Sequence, residues 1–245
     1  MKRKVEIVIL SDIHLGTYGA RVKDLLNYLE SIEPQTLILN GDIIDVLQFS
    51  KSYFPNSHLQ VIQKVLAWVQ KGIKTYYIVG NHDDIFRKFI GFQAAGITIT
   101  DDLELEIGNQ KIFIFHGDAF DGKLARIRLL NKMGANGYGS VILMNKAINF
   151  LIRKLVRKEV FISKYLKNKS KRFLKNNTKF EEEIISLAIK NGYDSIICGH
   201  LHYPIIKRIE KEGKQINYLN SGDWVESLTS IEYHNKEWKL YQHNY

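Results

Sequence analysis

Short apolar runs rich in β-branched residues recur along the chain, and most are continuous rather than alternating in polarity. Such runs are typical of strands in a sheet that is covered on both faces, because neither side of the strand then meets water. They predict the following strands: Val5–Leu10, Thr36–Leu39, Thr75–Val79, Ile97–Thr100, Lys111–Phe115 and Ser195–Cys198.

Helical periodicity separates the early runs. Apolar residues recur every three to four positions over Arg21–Ser31 and again over His58–Lys71, which predicts two amphipathic helices. Alternating strands and helices indicate a largely parallel sheet with right-handed crossovers. The C-terminal third instead predicts two hairpins, formed by Ile205–Ile209 with Gln215–Leu219 and by Ile231–Tyr233 with Trp238–Tyr241. A core of two sheets with outer helices is the simplest assembly of these elements.

The chain has 245 residues, which suits a single domain, and its net charge of +9 is unevenly distributed. Residues 121–180 carry 16 Lys and Arg against two Asp and Glu, a net +14, so the remainder of the chain is at −5. We interpret this segment as a basic helical insertion. It is either a solvated helical face or a surface for an acidic partner such as anionic lipid, a phosphate-bearing substrate or nucleic acid.

The single cysteine, Cys198, excludes an internal disulfide and a thiolate metal cluster. The N-terminal apolar run is short, contains Glu6 and lacks a cleavage site, so we interpret it as a strand and not as a signal peptide. We find no run approaching the ~18 apolar residues of a membrane span and expect a cytoplasmic protein.

Polar clusters follow five of the predicted strands, at the end where open α/β sheets gather ligands. The clusters contain Asp12 with His14, Asp42, Asn81 with His82 and Asp83, His116 with Asp118, and His200 with His202. In extended backbone, residues two apart point to the same side, so each D-x-H or H-x-H pair is expected to offer two ligands to one place. Oxygen and nitrogen donors without thiolate suit Mn²⁺, Fe or Zn²⁺.

In this order, D-x-H, G-D, G-N-H-D, H-G-D and G-H-x-H resemble the calcineurin-like metallophosphoesterase superfamily, and the match spans Asp12 to His202. The resemblance implies one domain, residues 1–245, folded as a four-layer α-β-β-α sandwich with the insertion as a helical cap. It also implies two divalent metals bridged by one carboxylate and a hydroxide. The first metal's implied ligands are Asp12, His14, Asp42 and His202, and the second's are Asp42, Asn81, His116 and His200.

The same resemblance makes His82 the catalytic histidine, which stabilises developing charge or protonates the leaving oxygen. Asp83 is expected either to orient His82 or to cap a helix over Ile85–Ile90.

Three features are similar to the bacterial UDP-2,3-diacylglucosamine diphosphatase group: "SDIHLG", the insertion after "HGDAFDG", and "YLNSGDWVES". That group implies hydrolysis of a UDP-linked diacyl sugar to lipid X and UMP in lipid A biosynthesis. It further implies manganese, a nucleotide-linked glycolipid substrate and peripheral association with an anionic inner membrane. The best-known lipid A branch has Arg at the position of His82.

An apolar stripe within the insertion is expected to receive acyl chains, and the basic residues around it to meet phosphates, unless this helix simply packs on the core. The stripe includes Met144, Ile148 and Leu151, and the basic residues include Lys146, Arg153 and Arg157. The "NSGDW" segment is expected to shape the site, with Trp224 contacting substrate, or else to form an ordinary turn.

Two other classes of function stay open from the sequence. One is a metallophosphoesterase of another substrate class, namely a nuclease, a nucleotide phosphodiesterase or a phosphatase, for which nucleic acid would be a partner of the basic insertion. The other is a non-catalytic scaffold, which normally requires lost ligands, and every motif ligand is present here.

Overall fold

The computed structural model describes residues 2–47, 53–120 and 180–243. The chain divides into two compact units, Met1–Asp118 with Ile184–Tyr245, and Ala119–Glu183. The predicted insertion at 121–180 lies outside the described residues except for its last position. The same holds for its expected substrate contacts, which are Met144, Lys146, Ile148, Leu151, Arg153 and Arg157. The insertion and its contacts therefore stay predictions.

Twelve strands form within the described residues. They are β1 (Arg3–Leu10), β2 (Ile32–Asn40), β3 (Lys74–Ile78), β4 (Gln93–Ala94), β5 (Ile97–Thr100), β6 (Asp102–Ile107), β7 (Gln110–Phe115), β8 (Ser195–Cys198), β9 (Ile205–Lys211), β10 (Lys214–Asn220), β11 (Thr229–His234) and β12 (Glu237–Gln242).

The described helices are α1 (Val22–Ser31), α2 (Asn56–Gln70) and α3 (residues 180–191), with 3₁₀ helices at Asp84–Phe89 and Asp118–Phe120. None of the helices in these described ranges is long and apolar enough to cross a membrane. The helix predicted over Ile85–Ile90 is thus a 3₁₀ helix, shifted by one residue.

The strands form two sheets. One has the order β12-β11-β1-β2-β3-β5-β4, with β1, β2, β3 and β5 parallel, and the other has the order β6-β7-β8-β10-β9, with β7, β8 and β10 parallel. The five predicted polar clusters follow the carboxyl ends of β1, β2, β3, β7 and β8, so the clusters of each sheet lie at one edge of that sheet.

A continuous apolar core lies between the sheets. Ile9, Ile38 and Ile78 of the larger sheet pack in one cluster with Ile114 and Ile197 of the smaller sheet, and all five are fully buried. Burying side chains of this size is worth roughly 1.5–3 kcal/mol each, which holds the two strand-end edges in fixed positions.

Helices cover the outer faces of both sheets. Leu25 of α1 and Val61 of α2 belong to the core cluster on the outer face of the larger sheet. On the smaller sheet, Ile184 and Ala188 of α3 are buried, and Lys214 of β10 donates a hydrogen bond to the carbonyl of Ile189. The α-β-β-α sandwich is therefore confirmed, with α3 as an outer helix that the sequence analysis did not predict.

Candidate metal centre

The predicted clusters come together at the strand ends. Three groups of side chains each place their potential ligand atoms within 4.8 Å of one another. The groups are Asp12 with His14 and His202, His14 with Asp45 and His82, and Asp42 with His116 and His200. His14 belongs to two of the groups, and the backbone N–H of His200, in the third group, donates to Asp12 of the first. The three groups therefore form one cluster rich in nitrogen and oxygen donors.

The backbone at these residues is left-handed and not extended. The φ angles of Asp12, His14, Asp42, His200 and His202 are 51°, 53°, 54°, 65° and 53°. The D-x-H and H-x-H pairs do come together, but the expected cause, an extended backbone, is wrong. A non-glycine residue at positive φ is strained by roughly 1–3 kcal/mol, and such strain concentrates at functional sites. Here it falls on five of the expected ligands.

Asp12 and Asp42 are both oriented by a backbone N–H from a neighbouring strand-end loop. His200 N donates to Asp12 Oδ2 at 3.0 Å, and His82 N donates to Asp42 Oδ1 at 2.8 Å. The other oxygen of each carboxylate lies beside an imidazole: Asp12 Oδ1 is 3.1 Å from His202 Nε2, and Asp42 Oδ2 is 3.2 Å from His116 Nε2. One oxygen is thus fixed and the second is turned into the cluster.

The two ring nitrogens of His116 have different surroundings, and only one of them has a suitable hydrogen-bond partner among the described residues. Its Nδ1 lies 2.9 Å from the carbonyl of Asn40, which can only accept, so Nδ1 carries the proton. Nε2 then turns a lone pair toward Asp42 Oδ2, and only a positive charge between them relieves that repulsion. Burial lowers the pKa of His116, but the Asp42 carboxylate outweighs burial and raises it to about 10. A bound metal ion would replace that proton.

Several buried polar atoms of the cluster make no hydrogen bond within the part of the chain that the structure describes. They include Asp12 Oδ1, His14 Nε2, Asn81 Oδ1 and His116 Nε2. A buried polar atom without a partner costs roughly 1–3 kcal/mol. All four are good ligands for divalent cations, so the residues present fit a metal centre.

Charge within the cluster stabilises its ionised forms. Burial raises the pKa of Asp12, but the His202 imidazole 3.1 Å away and the nearby His116 imidazole lower it below its usual range. Burial likewise raises the pKa of Asp42, but the contacts with His116 and His82 together outweigh burial and hold the pKa well below its usual range. Both carboxylates are therefore ionised at neutral pH, as metal ligands must be.

Asp45, which the sequence analysis did not single out, lies between two histidines. Its Oδ2 is 3.1 Å from Nδ1 of His14 and 2.9 Å from Nδ1 of His82, and the carboxylate is fully buried. The contact with Asp45 is the largest cause of the raised pKa of His82. Carboxylates behind ligating histidines fix their tautomer and increase their basicity. The only signal in the sequence is the second acid of "GDIID", three residues after Asp42.

Asp83 has a different role from either expected one. Its carboxylate accepts hydrogen bonds from the Gly80 and Ile43 backbone N–H groups and from the Tyr77 hydroxyl, at 2.6, 2.9 and 2.6 Å. It occupies the N-cap position of the 3₁₀ helix but makes no side-chain capping bond there. Asp83 thus braces the loops that carry Asp42 and His82, and the carboxylate beside His82 is Asp45.

The "NSGDW" segment packs behind the cluster. Ser221 Oγ lies 2.6 Å from Ser11 Oγ, and Trp224 N donates to the carbonyl of Asp12 at 3.1 Å. Asp223 Oδ2 is 3.8 Å from His202 Nδ1. Trp224 itself is fully buried against Tyr28, so the expected contact between Trp224 and substrate is wrong. The indole is too large and apolar to leave the core, and the backbone of the segment supports the site instead.

Two glycines allow strand-end loops to approach the carboxylates closely. A Cβ at Gly80 would lie 2.5 Å from Asp42 N and closer still to Oδ1, and one at Gly199 would lie 2.6 Å from Asp12 Oδ2. Any side chain at these positions would displace a carboxylate or its backbone.

We therefore expect Gly80→Ala to reduce metal content and activity together, because Asp42 must move. Gly72→Ala is the control: its φ of 84° adds a backbone strain that Gly80, which is not left-handed, would not suffer, but a Cβ at Gly72 meets nothing within 4 Å, so metal content should be retained. Elemental analysis and thermal melts of both variants check this. Full metal content in Gly80→Ala would contradict the close approach.

A pocket of about 460 Å³ opens beside the cluster. His14, Asp45, His82 and His202 line one part of it, and Tyr18, Tyr53 and Val225 line another. Its volume falls within the ~300–1,000 Å³ of small-molecule sites, and its polar part contains the residues expected to bind metal and move protons.

A four-layer sandwich with these histidine and carboxylate groups at its strand ends defines a metal-dependent hydrolase of phosphoric esters. Residues 5–204 match the family described as calcineurin-like phosphoesterase, and the chain belongs to that family.

Among curated proteins, the chain is similar to UDP-2,3-diacylglucosamine hydrolase of Blochmanniella pennsylvanica, with 27% identity over 95% of this chain and 93% of that one. The protein of the same name from Aliivibrio fischeri is 25% identical over 96% of this chain and 98% of its own. Among solved structures, the phosphoesterase Yfce from E. coli aligns with 97% of this chain and 99% of its own. That alignment has 13% identity and a TM-score of 0.44, a likeness too distant to bear on the substrate.

Proposed function

We propose that the centre holds two divalent metals, with manganese as the physiological ion. Asp12, His14, Asp42 and His202 would hold the first, and Asp42, Asn81, His116 and His200 the second. The free lone pairs of His14, Asn81 and His116 support this division. Asp42 is assigned to both metals, as the family resemblance implies, and its position is consistent with this: one oxygen is held by His82 N and the other faces His116.

When bound, such metals lower the pKa of a coordinated water and withdraw charge from phosphoryl oxygens. The chain's own residues supply orientation and protons. The backbone N–H groups of His82 and His200 hold the Asp42 and Asp12 carboxylates in place. His82 lines the pocket, and Asp45 raises its pKa, so its imidazolium would donate a proton to the leaving oxygen.

We further propose that the substrate is UDP-2,3-diacylglucosamine, hydrolysed at its pyrophosphate to 2,3-diacylglucosamine 1-phosphate and UMP, a step of lipid A biosynthesis. The single observation that carries this proposal is the similarity to relatives of that name over nearly the full length of both chains. The +14 charge of residues 121–180 supports peripheral association with an anionic inner membrane from the cytoplasmic side.

The test is product analysis with the manganese-loaded protein. We expect UDP-2,3-diacylglucosamine to yield UMP and the sugar 1-phosphate, because the anhydride is cleaved between the two phosphorus atoms. Release of UDP would indicate cleavage at the sugar and would contradict the proposal. A single-stranded oligonucleotide and bis(p-nitrophenyl) phosphate are assayed separately as alternative substrates. A higher kcat/KM for the oligonucleotide than for the lipid would favour the nuclease alternative.

A further inference from the structure

Tyr18 is an exposed aromatic ring on the wall of the pocket. It is 83% exposed, and its ring stacks on Tyr53 with the centroids 3.8 Å apart and the planes tilted by 34°. A ring backed by a second ring keeps one π face open. A planar group that stacked on this face would remove its apolar area from water, which is favourable.

The aromatic pair is held in place from behind. Tyr53 meets the ring of His58 edge-on, with centroids 5.8 Å apart. His58 is 3% exposed, and its Nδ1 accepts the N–H of Gly16 at 2.9 Å. His58 thus connects the loop that carries Tyr18 to the residues that carry Tyr53. Such a pre-organised platform loses little conformational entropy when a ligand stacks on it.

The side chains that line the pocket suit the nucleotide end of the proposed substrate better than its acyl chains. Val225 is the one aliphatic side chain among the described lining residues, and the others are aromatic, polar or glycine. Acyl chains favour aliphatic walls, whereas a flat heteroaromatic ring favours an aromatic face. His14, His82 and His202 line the same pocket, so a group bound on Tyr18 is a neighbour of the metal centre.

We propose that Tyr18, backed by Tyr53, is a platform on which the nucleobase of a nucleoside 5′-phosphate stacks while its phosphate reaches the metal centre. This rests on the proposed function and makes Tyr18 a specificity residue for the nucleotide side of the scissile bond. The acyl chains then leave the pocket in another direction.

The test compares UMP with ribose 5-phosphate, which keeps the sugar phosphate and lacks the base. Both are titrated calorimetrically into the manganese-loaded protein. We expect Tyr18→Ala to weaken the binding of UMP about 5- to 150-fold, the range for losing one base–aromatic stack. The affinity for ribose 5-phosphate should not change. Tyr18→Phe should keep UMP affinity, because the ring remains. Phe92→Ala is the control, since Phe92 is another exposed aromatic residue (52% exposed), and it should change the affinity for neither ligand.

The inference is overturned if wild-type protein binds UMP no more tightly than ribose 5-phosphate, or if Tyr18→Ala weakens both equally. A parallel loss would mean that Tyr18 only supports its loop. Failure of the proposed function looks different: UMP binding depends on Tyr18, but UDP-2,3-diacylglucosamine is not hydrolysed. Conversely, hydrolysis of that lipid with an unchanged KM in Tyr18→Ala would overturn the platform and leave the proposed function standing.

Discussion

Asp42→Ala should reduce hydrolysis by more than about 10³-fold and strip metal from the protein, because it removes the one carboxylate assigned to both metals. Metal ions contribute several kcal/mol of charge stabilisation in such reactions, and each 1.4 kcal/mol is a factor of ten in rate. The variant also leaves His116 Nε2 buried without the carboxylate that lies 3.2 Å away. Elemental analysis beside turnover of bis(p-nitrophenyl) phosphate provides the measurement.

The control is Asp24→Ala, which removes a carboxylate on α1 whose partners, Arg21 and His243, lie outside the metal cluster. It should keep metal content and activity. If Asp42→Ala retains both metals and loses only turnover, Asp42 is not the shared ligand, and the division of ligands proposed above is wrong.

His82→Ala should have the opposite signature, with metal content retained and kcat reduced by roughly 10²–10⁴-fold, the usual contribution of a general acid. The reason is that His82 is assigned to proton transfer and to no metal. Its backbone N–H, which orients Asp42, survives the substitution. A metal-free His82→Ala protein would show that the imidazole is a ligand.

The pH dependence isolates the contribution of Asp45. A raised pKa keeps His82 protonated to a higher pH than a free imidazole, and its acid form is lost as pH rises through that pKa. Asp45→Asn removes the largest cause of the raised pKa of His82, so that pKa should fall back toward about 6.5. The alkaline limb of the kcat profile should then move to lower pH.

When both proteins are saturated with metal, the effect of bound metal on His82 is common to wild type and variant, so the difference between the two profiles reports Asp45. Loss of a carboxylate behind a ligating histidine also costs about 10–100-fold in activity or metal affinity, which applies here to His14. Coincident alkaline limbs would rule out Asp45 as the residue that sets the pKa of His82.

The secondary structure of the described residues followed closely from the apolar pattern. The runs Ile97–Thr100 and Ser195–Cys198 coincide with β5 and β8, and Arg21–Ser31 differs from α1 by one residue. β8 and one face of α1 are buried, and every residue of β5 is partly buried, so the apolar residues of these elements mark the sides that face away from water. β6 was missed because its alternating "DLELEI" belongs to an edge strand whose residues alternate between partly buried and exposed.

The ligand types were also readable, because each follows a strand, and parallel strands end at a common edge. The sequence could not show which carboxylate would meet which imidazole. Asp45 and His82 are 37 positions apart and become neighbours only where the β2 and β3 loops pack together, joined by the hydrogen bond from Val46 N to the carbonyl of His82.

By itself, the sequence determined the strand and helix pattern, the family and the set of donor atoms, since local polarity and motif order encode them. Tertiary structure decided the rest. It buried Trp224, turned Asp83 toward the backbone, placed Asp45 behind His82 and set Tyr18 against Tyr53. The physical reason is that side-chain partners are fixed by packing between elements distant in the chain, as with Asp12 and His200, which are 188 residues apart.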